Sequence, residues 1–212
     1  MWKATASPEE APIYNRMMDL VERDVALLKE GLVLPEPAAH PALVMVSGLP
    51  GSGKSYFSRQ LAERFPFLVV ETDVLRHRLS PTPTYSAEES QRLFQACHRL
   101  VEELLKKGIS LVLDATNLVE THREYLYYIA EQARAKLIIV RVEAPEGEIK
   151  KRLQRREQGL SWEDHSEADW KVYRRMKEKA QGIRRPYFVV DTSRDIGPVV
   201  EGVLREVKGE AL

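Results

Sequence analysis

Residues Gly48-Leu49-Pro50-Gly51-Ser52-Gly53-Lys54-Ser55 constrain this chain more than any other stretch. They fit the pattern G-x-x-x-x-G-K-[ST]. The apolar run Ala42-Leu43-Val44-Met45-Val46 precedes them and reads as a buried strand. Tyr56 to Arg64 follows, with Phe57 and Leu61 one turn apart, and reads as a helix. Strand, glycine-rich loop and helix in that order form an anion cradle: glycines let successive N–H groups curl inward, and the helix N-terminus adds positive potential. The loop residues Gly48, Pro50, Gly51, Ser52, Gly53, Lys54 and Ser55, with Tyr56 just beyond, are therefore candidate nucleotide contacts. Lys54 is placed to reach the β- and γ-phosphates of ATP, and the Ser55 hydroxyl to complete the shell of a Mg²⁺ ion.

A length of 212 residues accommodates one α/β domain with an appendage. No apolar run approaches the roughly 18–20 residues that span a bilayer, and the N-terminus lacks the apolar core of a signal peptide. The single cysteine, Cys97, excludes an intramolecular disulfide and a cysteine-based zinc site. These features point to a reducing, cytoplasmic setting. Net charge is zero, which argues against a nucleic-acid magnet over the whole surface. The charge is nevertheless uneven. Residues 150–185 carry twelve bases against six acids, a local excess suited to a nucleotide lid or a phosphorylated substrate.

Residues 8–30 read as an amphipathic helix, with Ser7 as its cap, Pro8 at the first helical position and Gly31 as its stop. Its apolar side is drawn through Ile13, Met17, Leu20, Val21, Leu27 and Leu28, with Asp24 the polar exception. A proline-rich linker follows, so residues 1–41 form an accessory segment and 42–212 the main domain. Strands are expected at 42–46, 67–70, 109–113, 136–142 and 187–190. Helices are expected at about 54–64, 88–107, 120–134, 146–158, 166–182 and 196–207. This alternation implies a parallel sheet covered on both faces, with ligand loops at the carboxyl ends of the strands.

Polar residues recur at those ends. Asp73 lies just past the second strand, and Arg76 shares its helical face three residues on. Phosphoryl transfer needs a group to orient and deprotonate an attacking hydroxyl, and cations to hold the moving phosphate. Asp73 is the candidate base and Arg76 the candidate clamp. Asp114 closes the third strand and is a candidate Mg²⁺ ligand with Ser55. Thr116 and Asn117 either contact substrate or cap the next helix. Arg123 either faces the cleft or lies on the surface. Arg152 and Arg156 are one turn apart and suited to gripping a polyphosphate from a closing lid at about 146–166, where Gly159 and the polar run 161–167 supply the break. Ser86 and Glu89 read as a capping box without a catalytic role.

Taken in order, Gly48–Ser55, Thr72-Asp73-x-x-Arg76, Leu113-Asp114-Ala115-Thr116-Asn117, the Arg152–Arg156 pair and Ser166-Glu167-Ala168-Asp169 resemble a family of P-loop kinases. That family includes the kinase domain of phage polynucleotide kinase and, more distantly, the zeta toxins. The resemblance implies a three-layer α/β sandwich around five parallel strands in the order 2-3-1-4-5, and ATP with Mg²⁺ as cofactors. It also implies a general base at Asp73, an acceptor contact at Arg76, an organising carboxylate at Asp114 and a phosphoryl-stabilising arginine at Arg156, with Arg152 beside it. The resemblance implies several classes of hydroxyl acceptor, and a nucleic-acid 5′ end fits its nearest members. A sugar, nucleoside or antibiotic hydroxyl fits the neutral net charge. A regulatory switch that binds ATP without an acceptor, and a toxin acting on a sugar nucleotide, use the same loop.

Overall fold

The computed structural model describes residues 11–158 and 168–210. The helix start at Ser7 and Pro8, and the lid break at Gly159 and 161–167, lie outside these residues. Among the described residues, five parallel strands are ordered β2-β3-β1-β4-β5, the expected 2-3-1-4-5. They are β1 (Ala42–Ser47), β2 (Leu68–Glu71), β3 (Leu111–Asp114), β4 (Lys136–Glu143) and β5 (Phe188–Asp191).

β1 is buried along its whole length because both sheet faces are covered. Side chains alternate between the two layers, as the period of a strand requires. Leu43 and Met45 join Leu111, Leu113 and Ile139 in one core, under helices α1 (Ala11–Lys29), α4 (Ala87–Lys106) and α5 (Glu120–Gln132). Val44 and Val46 join Val112, Ile138 and Val140 in the other, under α2 (Lys54–Ala62) and α8 (Gly197–Lys208), which contribute Phe57, Leu61, Val200 and Val203. The pairing Val46↔Asp114, Glu71↔Asp114 and Glu143↔Asp191 brings the strands' carboxyl ends to one edge. Three helices work from that edge: α3 (Thr72–Leu79), α6 (Glu146–Glu157) and α7 (Trp170–Lys179).

Two departures from expectation have physical causes. The run 72–79 is a helix that the strand–helix alternation left unassigned. It is short and mostly polar, and only Leu75 is buried on it. The accessory helix is rotated relative to its expected stripe. Val21, Val25 and Leu28 are buried, while Met17, Leu20 and Leu27 stand at the surface. Asp24 sets this rotation: it is buried and accepts two hydrogen bonds from Arg92 of α4, at 2.6 and 2.7 Å. Arg78 of α3 caps the other end of α1 by donating to the Leu28 and Glu30 carbonyls, at 3.1 and 3.0 Å. The accessory helix thus braces α3, which carries Asp73, and α4.

Candidate active site

The glycine-rich loop is shaped by close approach. A Cβ on Gly48 would stand 2.4 Å from the Val142 carbonyl oxygen of β4. Gly53 holds φ at +94°, and a Cβ there would meet Thr192 at 2.8 Å. Only glycine meets both demands at no steric cost. The Thr192 hydroxyl, just past β5, donates to the Ser52 carbonyl at 2.6 Å and locks the loop against the sheet. Gly48 N–H donates to the Thr116 carbonyl at 3.1 Å, joining the loop to the exit of β3.

A cleft of about 1230 Å³ opens over this edge. Pro50, Gly51, Gly53, Lys54, Ser55 and Tyr56 line it, together with Asp73, Arg76, Asp114, Thr116, Asn117, Arg152 and Arg156. Gly48 and Ser52 lie beneath the lining, consistent with loop-shaping roles. Among the described residues, nine lysines and arginines line the cleft against three carboxylates, Glu71, Asp73 and Asp114.

The floor holds opposed charges at a cost. Burial lowers the pKa of Lys54 from its ordinary value, while Asp114 and Asp73 pull it back up. Burial raises that of Asp114, offset by Lys54 and by the Ser55 hydroxyl, which donates to it. Asp114 Oδ2 is buried with no hydrogen-bond partner. An orphaned carboxylate oxygen beside a hydroxyl is a hard-oxygen donor set, and it fits Mg²⁺, which takes one or two protein oxygens and fills the rest of its shell with phosphate and water. Burial also lowers the pKa of Arg156, against the nearby charge of Asp73. A buried cation favours an anionic ligand, and a buried carboxylate favours a cation. A metal–polyphosphate complex offers both.

Several expectations are corrected by where the side chains go. Arg123 faces neither cleft nor solvent: it is fully buried, paired with Glu120, and donates to the Asn117, Gln181 and Gly182 carbonyls. The Asn117 amide is committed to the Val46 carbonyl at 2.7 Å, and its backbone is left-handed with φ +43°. Its role is to shape the turn after β3. Arg152 and Arg156 do not grip together. Arg152 donates to the Thr192 hydroxyl at 2.8 Å and to the Gly51 carbonyl at 3.2 Å, whereas Arg156 leans toward the Ala168 carbonyl and Asp73. Arg76 reaches the cleft already ion-paired with Glu89, with its buried Nε left without a partner. The capping box is half formed. The Ser86 hydroxyl accepts from Glu89 N–H at 3.1 Å, but the Glu89 carboxylate turns to Arg76 and to the Thr84 N–H and hydroxyl, at 2.6 and 2.8 Å.

A family model described as an AAA domain matches residues 43–183, well over half of the chain. The chain belongs to this family. A UPF0200 protein of Aeropyrum pernix is 33% identical over 126 residues, covering 54% of this chain and 64% of the relative. The L-seryl-tRNA(Sec) kinase of Methanococcus maripaludis is 25% identical over 108 residues, covering 49% and 41%. The chain thus spans less than two thirds of each of these two relatives. Among solved structures, the Mycobacterium tuberculosis APS kinase in complex with AMPPNP and APS superposes with a TM-score of 0.59 at 19% identity, covering 82% of this chain and 99% of that one. The AAA domain therefore has the P-loop kinase fold.

Several further residues build the AAA domain's cleft. The sequence offers no signal for Arg194, Phe94 and His122, whereas Arg175 and Lys179 fall in the basic stretch 150–185 and Tyr85 in the proline-rich loop that follows the Asp73 region. Thr192 and Arg194 reach the cleft from beyond β5, Arg175 and Lys179 from α7, and Tyr85, Phe94 and His122 from the side of Asp73. Thr192 stands at the end of an expected strand, so its place was readable though its bond to the loop was not. Asp169, in the Ser166–Asp169 stretch, has a plain role: it caps α7 by accepting from Val172 N–H at 2.7 Å.

Proposed function

We propose that this chain is an ATP- and Mg²⁺-dependent kinase that transfers the γ-phosphoryl group to a hydroxyl, with Asp73 as general base. The observation that carries this reading is the position of Asp73. It shares one cleft with Lys54, Asp114 and Arg156, close enough for its charge to act on Lys54 and Arg156. A switch that only bound nucleotide would need no carboxylate facing the phosphate cations.

In this reading Ser55 and Asp114 would hold the metal, which would supply positive charge to offset the negative charge of the phosphates. Lys54 and Arg156 stabilise charge on the moving phosphoryl group. Asp73 accepts the acceptor's proton as the acceptor oxygen bonds to the γ-phosphorus and the bond to the β-phosphate oxygen breaks, releasing ADP. The cleft's excess of cations supports an anionic acceptor, and so the nucleic-acid 5′ end over a neutral sugar. The kinase named among the relatives supports phosphoryl transfer in general.

The test is transfer from γ-labelled ATP with Mg²⁺ to a panel of 5′-hydroxyl oligonucleotides, nucleosides and sugars. Asp73→Asn is expected to lower turnover by roughly a hundredfold or more, in the range of general-base loss, with ATP affinity changed little. Equal loss of ATP binding would make Asp73 a structural residue. Label appearing only as free phosphate, at the same rate in the variant, would remove the kinase reading.

A further inference from the structure

Resting on the kinase reading above, we infer that Tyr85, Phe94 and His122 form a subsite that takes a planar aromatic ring of the acceptor, as in a nucleoside whose sugar carries the attacking hydroxyl. The subsite lies on the β2–β3 half of the cleft, the half that carries Asp73 and Asp114. Arg152, Thr192 and Arg194 line the opposite, β4–β5 half.

Tyr85 is the first sign. Its φ is +55°, a left-handed conformation that bulky residues rarely adopt. Such outliers persist where the surroundings over-determine them, and they cluster at ligand-binding positions. Here Glu89 over-determines the loop. Its carboxylate takes the Thr84 N–H and hydroxyl and pairs with Arg76, whose Cζ lies 4.8 Å from the Tyr85 ring centroid. The cation backs one side of the ring while the residue stays 43% exposed in the cleft. An aromatic ring left this open and held this firmly is a binding surface, not core.

The wall continues across α4 and α5. Phe94 and His122 stand with ring centroids 4.8 Å apart, and behind them His98 stacks on Tyr125 at 4.8 Å. Phe94 also meets His98, at 6.3 Å, so rings on two helices brace one another. Burial holds both imidazoles below their ordinary pKa, which keeps the wall uncharged at neutral pH. Neutral faces favour stacking of any base, with sequence tolerance. Arg175 and Lys179 line the same cleft from α7 and suit a phosphate attached to that nucleoside. A free nucleoside or nucleotide, and the terminal residue of a single strand, share this chemistry.

The experiment is equilibrium binding to the full chain saturated with AMPPNP and Mg²⁺, which removes the ATP site from competition. The probes are thymidine, a short 5′-hydroxyl oligothymidylate and gluconate. Thymidine and the oligonucleotide are expected to bind more tightly than gluconate. Tyr85→Ala should weaken both by roughly tenfold or more, and Tyr85→Phe by less than about twofold, because the ring and not the hydroxyl is used. Tyr85→Gly, which accepts a positive φ without strain, should match Tyr85→Ala and so exclude misfolding as the cause. Gluconate binding as tightly as thymidine, no thymidine binding, or unchanged binding in Tyr85→Ala would each overturn the subsite. An oligonucleotide much tighter than thymidine identifies a nucleic-acid end, and equal affinities identify a free nucleoside. Ring binding without γ-phosphate transfer would refute the kinase reading and leave the subsite. Transfer to gluconate without thymidine binding would do the reverse.

Discussion

Arg123 Nη1 donates to the Asn117 carbonyl at 2.6 Å, deep inside the protein. The same guanidinium reaches the Gly182 carbonyl at 2.6 Å and the Gln181 carbonyl at 3.0 Å, with Glu120 as its counter-ion at Nε, 2.7 Å away. One buried cation thereby ties the turn after β3 to the chain leaving α7. Arg123→Met would strand the Glu120 carboxylate and three carbonyls away from water. We expect a loss of about 3–5 kcal/mol in urea denaturation. Arg123→Lys should recover little, since an ammonium lacks the fork that serves several carbonyls at once. A variant as stable as the wild type would mean that water fills the gap.

Asp114 offers a prediction about metal that does not depend on turnover. In the proposed reading its unpartnered Oδ2 and the Ser55 hydroxyl would be the protein's oxygens for Mg²⁺. Asp114→Asn should raise the Mg²⁺ concentration needed for half-maximal nucleotide binding by roughly ten- to a hundredfold. Binding in EDTA should hold or improve, because the substitution removes a negative charge from beside Lys54. Nucleotide titrations across a Mg²⁺ series distinguish this from a general loss of the site, which would weaken binding in EDTA as well.

Gly48 tests the loop's geometry. The atom that a Cβ would meet at 2.4 Å is the Val142 backbone oxygen, which cannot swing aside as a side chain can. Gly48→Ala should therefore displace the loop, cost about 1–3 kcal/mol as overpacking does, and weaken nucleotide binding together with stability. Thermal melts with and without AMPPNP measure both effects. An unshifted melt with full ligand stabilisation would show that β4 yields.

The legible part of this molecule is the part encoded locally. The phosphate loop, the apolar strands and the Asp114 strand end each lie within one short window, so period and spacing revealed them. The spacing of Asp73 and Arg76 puts them on one helical face, although α3 has too few apolar residues to show a period. What stayed hidden was pairing across the chain. Nothing near Arg123 announces that Gln181 and Gly182 will satisfy it, so the local sequence fits cleft and surface equally. Nothing near Asp24 announces Arg92, 68 residues away, and the polar residue looked like an exception to the stripe it actually orients. Glu89 was readable as a cap from its spacing to Ser86. Its greater use, holding Arg76 and Thr84, depends on a loop whose path the sequence does not specify.

His98 gives the fold a dependence on pH that the same aromatic wall produces. Burial, reinforced by the neighbouring charge of His122, pushes its pKa from 6.5 down to about 4. An imidazole held low in the folded state takes up its proton first in the unfolded chain, so stability falls as pH drops through the window from 6.5 to 4. For this shift the full loss is about 3 kcal/mol. Glu89 acts in a lower window: Arg76 and the Thr84 N–H hold its pKa down to about 2, so its contribution persists until the pH falls below 4.5. His98→Phe keeps a ring between Phe94 and Tyr125 but removes the titration. Urea denaturation at pH 7, 5.5 and 4.5 should show a decline in the wild type that is largely flattened in the variant, with His122 supplying the remainder. A wild-type decline that begins only below pH 4.5 would assign acid sensitivity to the carboxylates and leave His98 open to protonation in the folded state.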